Sequence, residues 1–311
     1  MRSIACLALV AVALLGGIGA ARAAGPPSDP PGLAHALGMV PTLNSAYRAT
    51  YGYGNLRNHG GPTMTTNTTY AIYWSPSNWS QTIGSGYSGL INRFLADVAA
   101  DSGKTTNVYY TETQYSGIQY RSTFAGSVTV TDPLPASGCT DSATSVCLTD
   151  AQLQSEIRAV VARQGWTANS QTEFFLFTAP GVGSCSGSSC AFTNYCAYHS
   201  WIGSGSTATL YANMPYVDGV NGCDAGYHPN GGQGDATINV LSHEHNETIT
   251  DEQGNAWYDL FGYEDGDKCA WSWGAITGSG SAGYNQTING HHYIAQLEYS
   301  NADRGCVQSG L

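Results

Sequence analysis

Residues 236–251 read A-T-I-N-V-L-S-H-E-H-N-E-T-I-T-D. Rotating about 100° per residue brings Ile238, Leu241, His245 and Ile249 within about 80° of one another on one side of a helix. His243 and Glu247 fall on the opposite side, about 40° apart, and project from the same face one turn apart. The segment predicts a helix with one packing stripe and one stripe facing a cleft. His245 belongs to the packing stripe, as a buried, hydrogen-bonded histidine. Working outward, Tyr70–Trp74 reads as a strand, and Leu90, Ile91, Phe94, Leu95 and Val98 give 89–100 an amphipathic helical stripe. Residues 107–113 and 127–131 alternate β-branched or aromatic with polar residues, the pattern of strands. Thr149 and Gln152 form a capping box that opens a helix with Leu153, Ile157, Val160 and Val161 on one face. Phe174–Phe177 is a continuous apolar run, hence a buried central strand, and 207–211 reads as another strand. This alternation predicts an α/β or α+β domain with a mixed sheet, a motif-bearing helix and disulfide-stapled, Gly-rich loops.

Composition narrows the function classes. Charged residues make up 11% of the 311 positions, against about 25% in an average soluble protein. The formal net charge is −11, and no basic run exists to meet a phosphate backbone, so nucleic acid is excluded as a partner. Met1-Arg2, an apolar run from Ile4 to Ile18 and Ala21-Arg22-Ala23 form a secretory signal peptide over 1–23. The apolar run is shorter than the roughly 20 residues that span a bilayer, so no stable membrane anchor is expected. Residues 24–45 are Pro-rich with little core potential and read as a linker or pro-segment, leaving 46–311 as one extracellular domain. Cys6 leaves with the leader, and the eight cysteines that remain predict disulfides in a secreted protein. Cys139–Cys147 and Cys185–Cys190 are the plausible local loops. No G-x-S-x-G elbow, Walker loop or G-x-G-x-x-G is present.

His243-Glu244-x-x-Glu247 is the zincin arrangement H-E-x-x-H with glutamate in place of the second histidine, and it gives the expected fold a zincin-like cast. Eight of the 22 acidic residues fall within 244–267: Glu244, Glu247, Asp251, Glu252, Asp259, Glu264, Asp265 and Asp267. A chain so poor in charge that concentrates carboxylates in this way points to a bound cation. The expectation is Zn²⁺, with Ca²⁺ as the alternative, held by His243, Glu247 and a third ligand from Glu264 or Asp267, Glu264 being preferred. Glu244 would serve as general base toward water, with the metal as Lewis acid. Tyr258 or Tyr263 is placed to offer a phenolic hydroxyl to a developing oxyanion. A second carboxylate ligand makes the metal less electrophilic than two imidazoles would, so turnover is expected to be slow. The reading is a secreted metal-dependent hydrolase, a zinc protease acting on an extracellular polypeptide.

Asn58-His59-Gly60-Gly61-Pro62, Tyr70–Trp74, the helix carrying Phe94-Leu95 and the aromatic stretch Tyr109-Tyr110 to Tyr115 resemble the opening of the phosphate-induced protein 1 (EXORDIUM-like) family. The stretch S-H-E-H-N-E-T-I-T-D, with N-A-W-Y-D and G-D-K-C-A-W, looks like bacterial secreted relatives of that family. The resemblance covers roughly residues 50–270 and implies fold and export, not by itself an enzyme. It carries the alternative reading, a non-catalytic extracellular protein that binds a cell-wall polymer or carbohydrate. Twenty Tyr and seven Trp are available there to stack on sugars, with the acidic cluster holding Ca²⁺ or forming a polar network.

Overall fold

The computed structural model describes residues 38–43 and 52–310. The expected signal peptide and most of the Pro-rich segment lie outside the described residues. The central strand β6 (Thr172–Thr178) is buried at every position, because helices cover both of its faces. Phe174 and Leu176 pack into one core, while Phe175 and Phe177 pack into the other. This two-sided burial is why the strand is a continuous apolar run.

The six-stranded sheet is mixed. Strand β3 (Asn67–Trp74) lies parallel between β4 (Ser122–Val130) and β6, and β6 is parallel to β10 (Thr209–Met214). Strand β9 (Tyr195–Ile202) then runs antiparallel to β10, and β1 (Met39–Pro41) antiparallel to β9 at the edge. Strand β1 lies within the segment expected to have little core potential, yet Val40 is fully buried.

Helix α1 (Ser85–Ala100) links β3 to β4 and buries Tyr87, Ile91, Phe94, Leu95 and Val98. Helix α2 (Asp150–Gln164) precedes β6. Its capping box is formed, with Thr149 accepting from the Gln152 N–H and the Gln152 side chain accepting from the Thr149 N–H. Gly165 ends it in the left-handed region at φ 67°, where glycine carries no Cβ penalty. Leu153, Ile157, Val160 and Val161 pack with Phe174 and Leu176, beside a small sheet of β5 (Val146–Thr149), β7 (Val182–Ser186) and β8 (Ser189–Cys190). Helix α3 (Asp235–Thr250) shares the opposite core with α1. Short two-stranded pairs complete the fold: β2 (Arg57–Asn58) with β11 (Trp257–Tyr258), β12 (Gln286–Ile288) with β13 (His291–Tyr293), and β14 (Glu298–Ser300) with β15 (Gly305–Val307).

Two expectations are corrected. Residues 107–113 are not a strand, since Val108–Gln114 is a 3-10 helix whose first turn is capped by the Asn107 side chain accepting from the Tyr109 N–H. Its buried residues pair three apart, Val108 with Thr111 and Tyr109 with Glu112, a spacing that a seven-residue alternation conceals. Helix α3 does not leave one stripe on an open cleft: all sixteen of its residues are buried.

The eight cysteines form four disulfides: Cys139–Cys147, Cys185–Cys190, Cys196–Cys223 and Cys269–Cys306. The last ties the loop after α3 to the C-terminal β14–β15 hairpin. Such bridges are typical of extracellular proteins, and no helix among the described residues is long and apolar enough to cross a membrane. Thiol titration of the denatured, unreduced protein without Cys6 should find none. Replacing Cys269 and Cys306 together with serine should cost about 2–4 kcal/mol in urea unfolding. A loss well under about 1 kcal/mol would mean that other contacts hold this loop.

Candidate metal centre

Gly234 offers no side-chain cap to α3. Asp218, far back in the chain, fills the role, its carboxylate accepting from the N–H groups of Gly234 and Ala236. With its start fixed in this way, α3 runs beneath β9 and β1 and presents His243, Glu244 and Glu247 to three other segments. These are β9, which brings His199; the loop 264–267, which brings Glu264 and Asp267; and the stretch before β14, which brings Gln296.

The distances define one polar centre. His243 Nε2 lies 2.9 Å from Glu247 Oε1 and 3.9 Å from Asp267 Oδ1. His199 Nδ1 lies 3.2 Å from Glu244 Oε2 and 3.5 Å from Glu247 Oε2, while its Nε2 faces Glu264 Oε1 at 3.7 Å. One ligand atom each of His243, Glu247 and Asp267 lie within 4.8 Å of one another, and the same holds for His199, Glu244 and Glu247. Glu247 therefore joins two overlapping sets. The loop is latched to it, because the Asp267 N–H donates to Glu247 Oε1 and the Glu264 N–H to Asp267 Oδ2. Gly266 makes this approach possible: a Cβ there would come within 3.0 Å of both Glu247 Oε1 and the His243 ring.

Strand β1 and Gly38, just before it, close the centre from the other side. The Gly38 N–H donates to Glu264 Oε2 at 2.7 Å, and the Val40 N–H to Glu244 Oε1 at 3.0 Å. Gly38 sits at φ +73°, and a Cβ there would meet the His199 ring at 2.9 Å. Only glycine passes this point without displacing the histidine.

The electrostatics follow from burial and mutual contact. Burial pulls His243 down, but Glu247, Glu244 and Asp267 outweigh it and lift its pKa to about 10. His199 is likewise drawn down by burial and then raised well above the usual value by Glu264, Glu244 and Glu247. Burial raises Glu244 to about 7, with His199 opposing. In Glu247 the burial effect is overcome by His243 and His199, and its pKa falls to about 2. Burial also pushes Glu264 well up, against the pull of His199. These contacts favour the imidazolium form of both histidines beside the carboxylates.

The donor set fits a divalent cation. Among the described residues, His243 Nε2, Glu247 Oε2 and Glu264 Oε1 are buried and make no well-formed hydrogen bond, their nearest neighbours being ion-pair contacts at 2.9, 3.5 and 3.7 Å. The His243 ring is already oriented. Its Nδ1 lies 3.2 Å from Gln296 Oε1, which also accepts from the Trp271 N–H. A metal-ligating histidine uses the same arrangement, with its second nitrogen donating to a fixed acceptor.

Of the residues expected here, the structure brings together His243, Glu244, Glu247, Glu264 and Asp267. Asp267 joins His243 and Glu247, whereas Glu264 faces His199. Tyr258 stands apart on β11, its ring stacked on His59 at 3.6 Å. His245 packs edge-on against Tyr109 and Phe175, and burial holds its pKa down near 3. The sequence reading missed His199, Gln296 and the β1 amides. His199 sits in the strand Y-C-A-Y-H-S-W-I with no motif spacing to α3, and only the sheet order reveals it. No family model, curated protein or solved structure matches the chain.

Beneath the centre, Glu173 on β6 accepts from the Thr248 hydroxyl and faces His245 Nε2 at 3.8 Å. Burial raises its pKa well above the usual value. The folded state thus holds this proton to higher pH than the unfolded chain, which releases it near about 4.3. The contribution of Glu173 to stability is full below that value and is lost as pH rises toward the folded pKa. The wild type should therefore lose stability relative to Glu173→Gln between pH 4 and 8, with a slope of at most about 1.4 kcal/mol per pH unit. Parallel urea curves for the two proteins across that range would show that Glu173 is ionised in the fold.

Proposed function

We propose that this chain is a secreted, metal-dependent peptide hydrolase, with zinc as the metal, held by His243, Glu247 and Asp267. The observation that carries the reading is the convergence of these three buried groups within 4.8 Å, with His243 Nε2 and Glu247 Oε2 in ion-pair contact but in no well-formed hydrogen bond. A cation bound there supplies Lewis acidity toward a carbonyl oxygen and makes a nearby water more acidic. Gln296 holds the His243 tautomer, and Gly266 lets the loop deliver Asp267 to the helix face. Glu244 has a pKa near 7, which suits a general base at neutral pH. His199 lies between Glu244 and Glu264 and steadies both carboxylates.

An extended polypeptide is the substrate class this geometry favours. Beside the centre, β9 accepts a strand in antiparallel register, Met39 opposite Tyr198 and Val40 opposite Ala197. That strand sets the Val40 amide on Glu244, and Gly38 just before it sets its amide on Glu264. In the full chain β1 takes this place itself, so it stands where a substrate would lie and the reactive groups are shut from solvent. Four disulfides and the leader-like sequence of 1–23 support export.

Four measurements test the proposal. The purified chain should carry about one equivalent of zinc, taken up at pH 7 with proton release, because the metal displaces the His243 proton. Calorimetry in buffers of different ionisation enthalpy reads that release directly. A chain lacking residues 1–43 should cleave unfolded polypeptide faster than the full chain. In that shortened chain Glu244→Gln should lower kcat by about 100-fold or more while keeping its zinc. A folded wild type that binds no transition metal would end the reading, as would full activity in Glu244→Gln. Gly266→Ala should weaken zinc binding without unfolding the protein.

A further inference from the structure

A second group of carboxylates lies on the far side of the same loop. Glu112 comes from the 3-10 helix, Asp265 from the loop and Glu298 from β14. Each is at most 1% exposed, and one oxygen of each lies within 4.8 Å of the others. Among the described residues, no Lys, Arg or His forms an ion pair with any of the three; Lys268, next along the loop, is engaged with Asp259 at 2.8 Å.

The oxygens divide by direction. Asp265 Oδ1 accepts from the Thr250 hydroxyl at 3.1 Å, and Glu298 Oε1 from Asn246 Nδ2 at 3.1 Å. Each of these two side chains is thereby fixed by one oxygen, and its other oxygen, Asp265 Oδ2 or Glu298 Oε2, has no donor. Glu112 arrives from a separate element, and neither of its oxygens has a donor. Four buried carboxylate oxygens are therefore left for one another, and three ionised carboxylates cannot be buried together without compensation.

We infer that Glu112, Asp265 and Glu298 bind a calcium ion. Two shared protons, one joining Glu112 to Asp265 and one joining Glu112 to Glu298, would also pair these four oxygens and are the competing account that a calcium titration decides. A hard divalent cation engages both oxygens of Glu112 together with Asp265 Oδ2 and Glu298 Oε2. The donors are all oxygen, with no imidazole or thiolate, which favours calcium over zinc. Asp265 stands between Glu264 and Asp267, so calcium would also stiffen the loop that delivers Asp267 to the first centre. The inference does not depend on the hydrolase reading.

The test uses the full-length protein stripped with chelator and titrated with Ca²⁺ by calorimetry, and with Tb³⁺ by luminescence. Tyr115, three residues from Glu112, is placed to sensitise Tb³⁺. One equivalent of Ca²⁺ should bind and raise Tm, and Ca²⁺ should quench the Tb³⁺ signal by displacement. Glu112→Gln and Glu298→Gln should each weaken Ca²⁺ binding by about tenfold or more, and without Ca²⁺ both should melt no lower than the wild type. His243→Ala should lose zinc while keeping calcium, which separates a failure of this inference from a failure of the first centre. Should either glutamine variant fail to fold, Asp265→Asn with circular dichroism gives the same comparison. Absence of Ca²⁺ and Tb³⁺ binding by the folded wild type would overturn the inference and leave shared protons as the account. Binding that is unchanged in Glu112→Gln would overturn it equally.

Discussion

The structure depends on burying a helix that is not apolar. Every residue of α3 is enclosed, yet Asn239, Ser242, His243, Glu244, His245, Asn246, Glu247, Thr248 and Thr250 are polar. Buried polar groups are tolerable only when partners reach them, so the surrounding elements are arranged to supply those partners. Glu173 reaches Thr248 from β6, His199 reaches Glu244 from β9, and Gln296 and Glu298 reach His243 and Asn246 from the C-terminal region. The packing stripe Ile238, Leu241 and Ile249 anchors the helix to the core. That apolar contact holds the helix in place while its other side remains incompletely satisfied.

The mixed sheet explains why the incomplete side is where it is. Strands β4, β3, β6 and β10 are parallel, and the central β6 is buried on both faces, while the edge strand β4 leaves one face partly exposed. Only at β9, where the direction reverses, does the sheet offer backbone to another strand beside α3. His199 is carried on that strand, and β1 is paired to it. The polar centre thus forms where the sheet ceases to be parallel, between the last internal strand, the helix and a loop stapled by Cys269–Cys306.

Much of this was legible in the sequence. The continuous apolar run of β6, the stripes of α1 and α2, the Thr149 capping box and the helix around His243 each follow from local pattern, because packing against a sheet imposes a period on a single segment. The division of α3 was also legible, with His245 in the packing stripe and His243 and Glu247 opposite. Its full enclosure was not, because the cover comes from β1 and from 264–267, far away in sequence. The 3-10 helix at Val108–Gln114 was hidden for a related reason: over seven residues, too few positions separate burial at spacing three from alternation at spacing two, and Tyr109 and Thr111 fit both. His199 and Glu298 carry no local signature at all. They become site residues only through strand order, which long-range pairing decides.

The two carboxylate groups invite a comparison in charge. At the first, His199 and His243 sit among Glu244, Glu247, Glu264 and Asp267, and protons on the imidazoles supply the positive charge that burial demands. That solution is reversible in principle, because the same imidazole lone pair that takes a proton is the one a metal would take. At Glu112, Asp265 and Glu298, no imidazole among the described residues joins the group to carry such a proton. Neutrality there must come from the carboxyl groups themselves or from a cation, and an oxygen-only set selects a hard one. The loop 264–267 serves both groups with alternating side chains: Glu264 and Asp267 on one side, Asp265 on the other. Its position relative to α3 is then determined by what neutralises each group, so the charge state of the second cluster bears directly on how Asp267 is presented to the first.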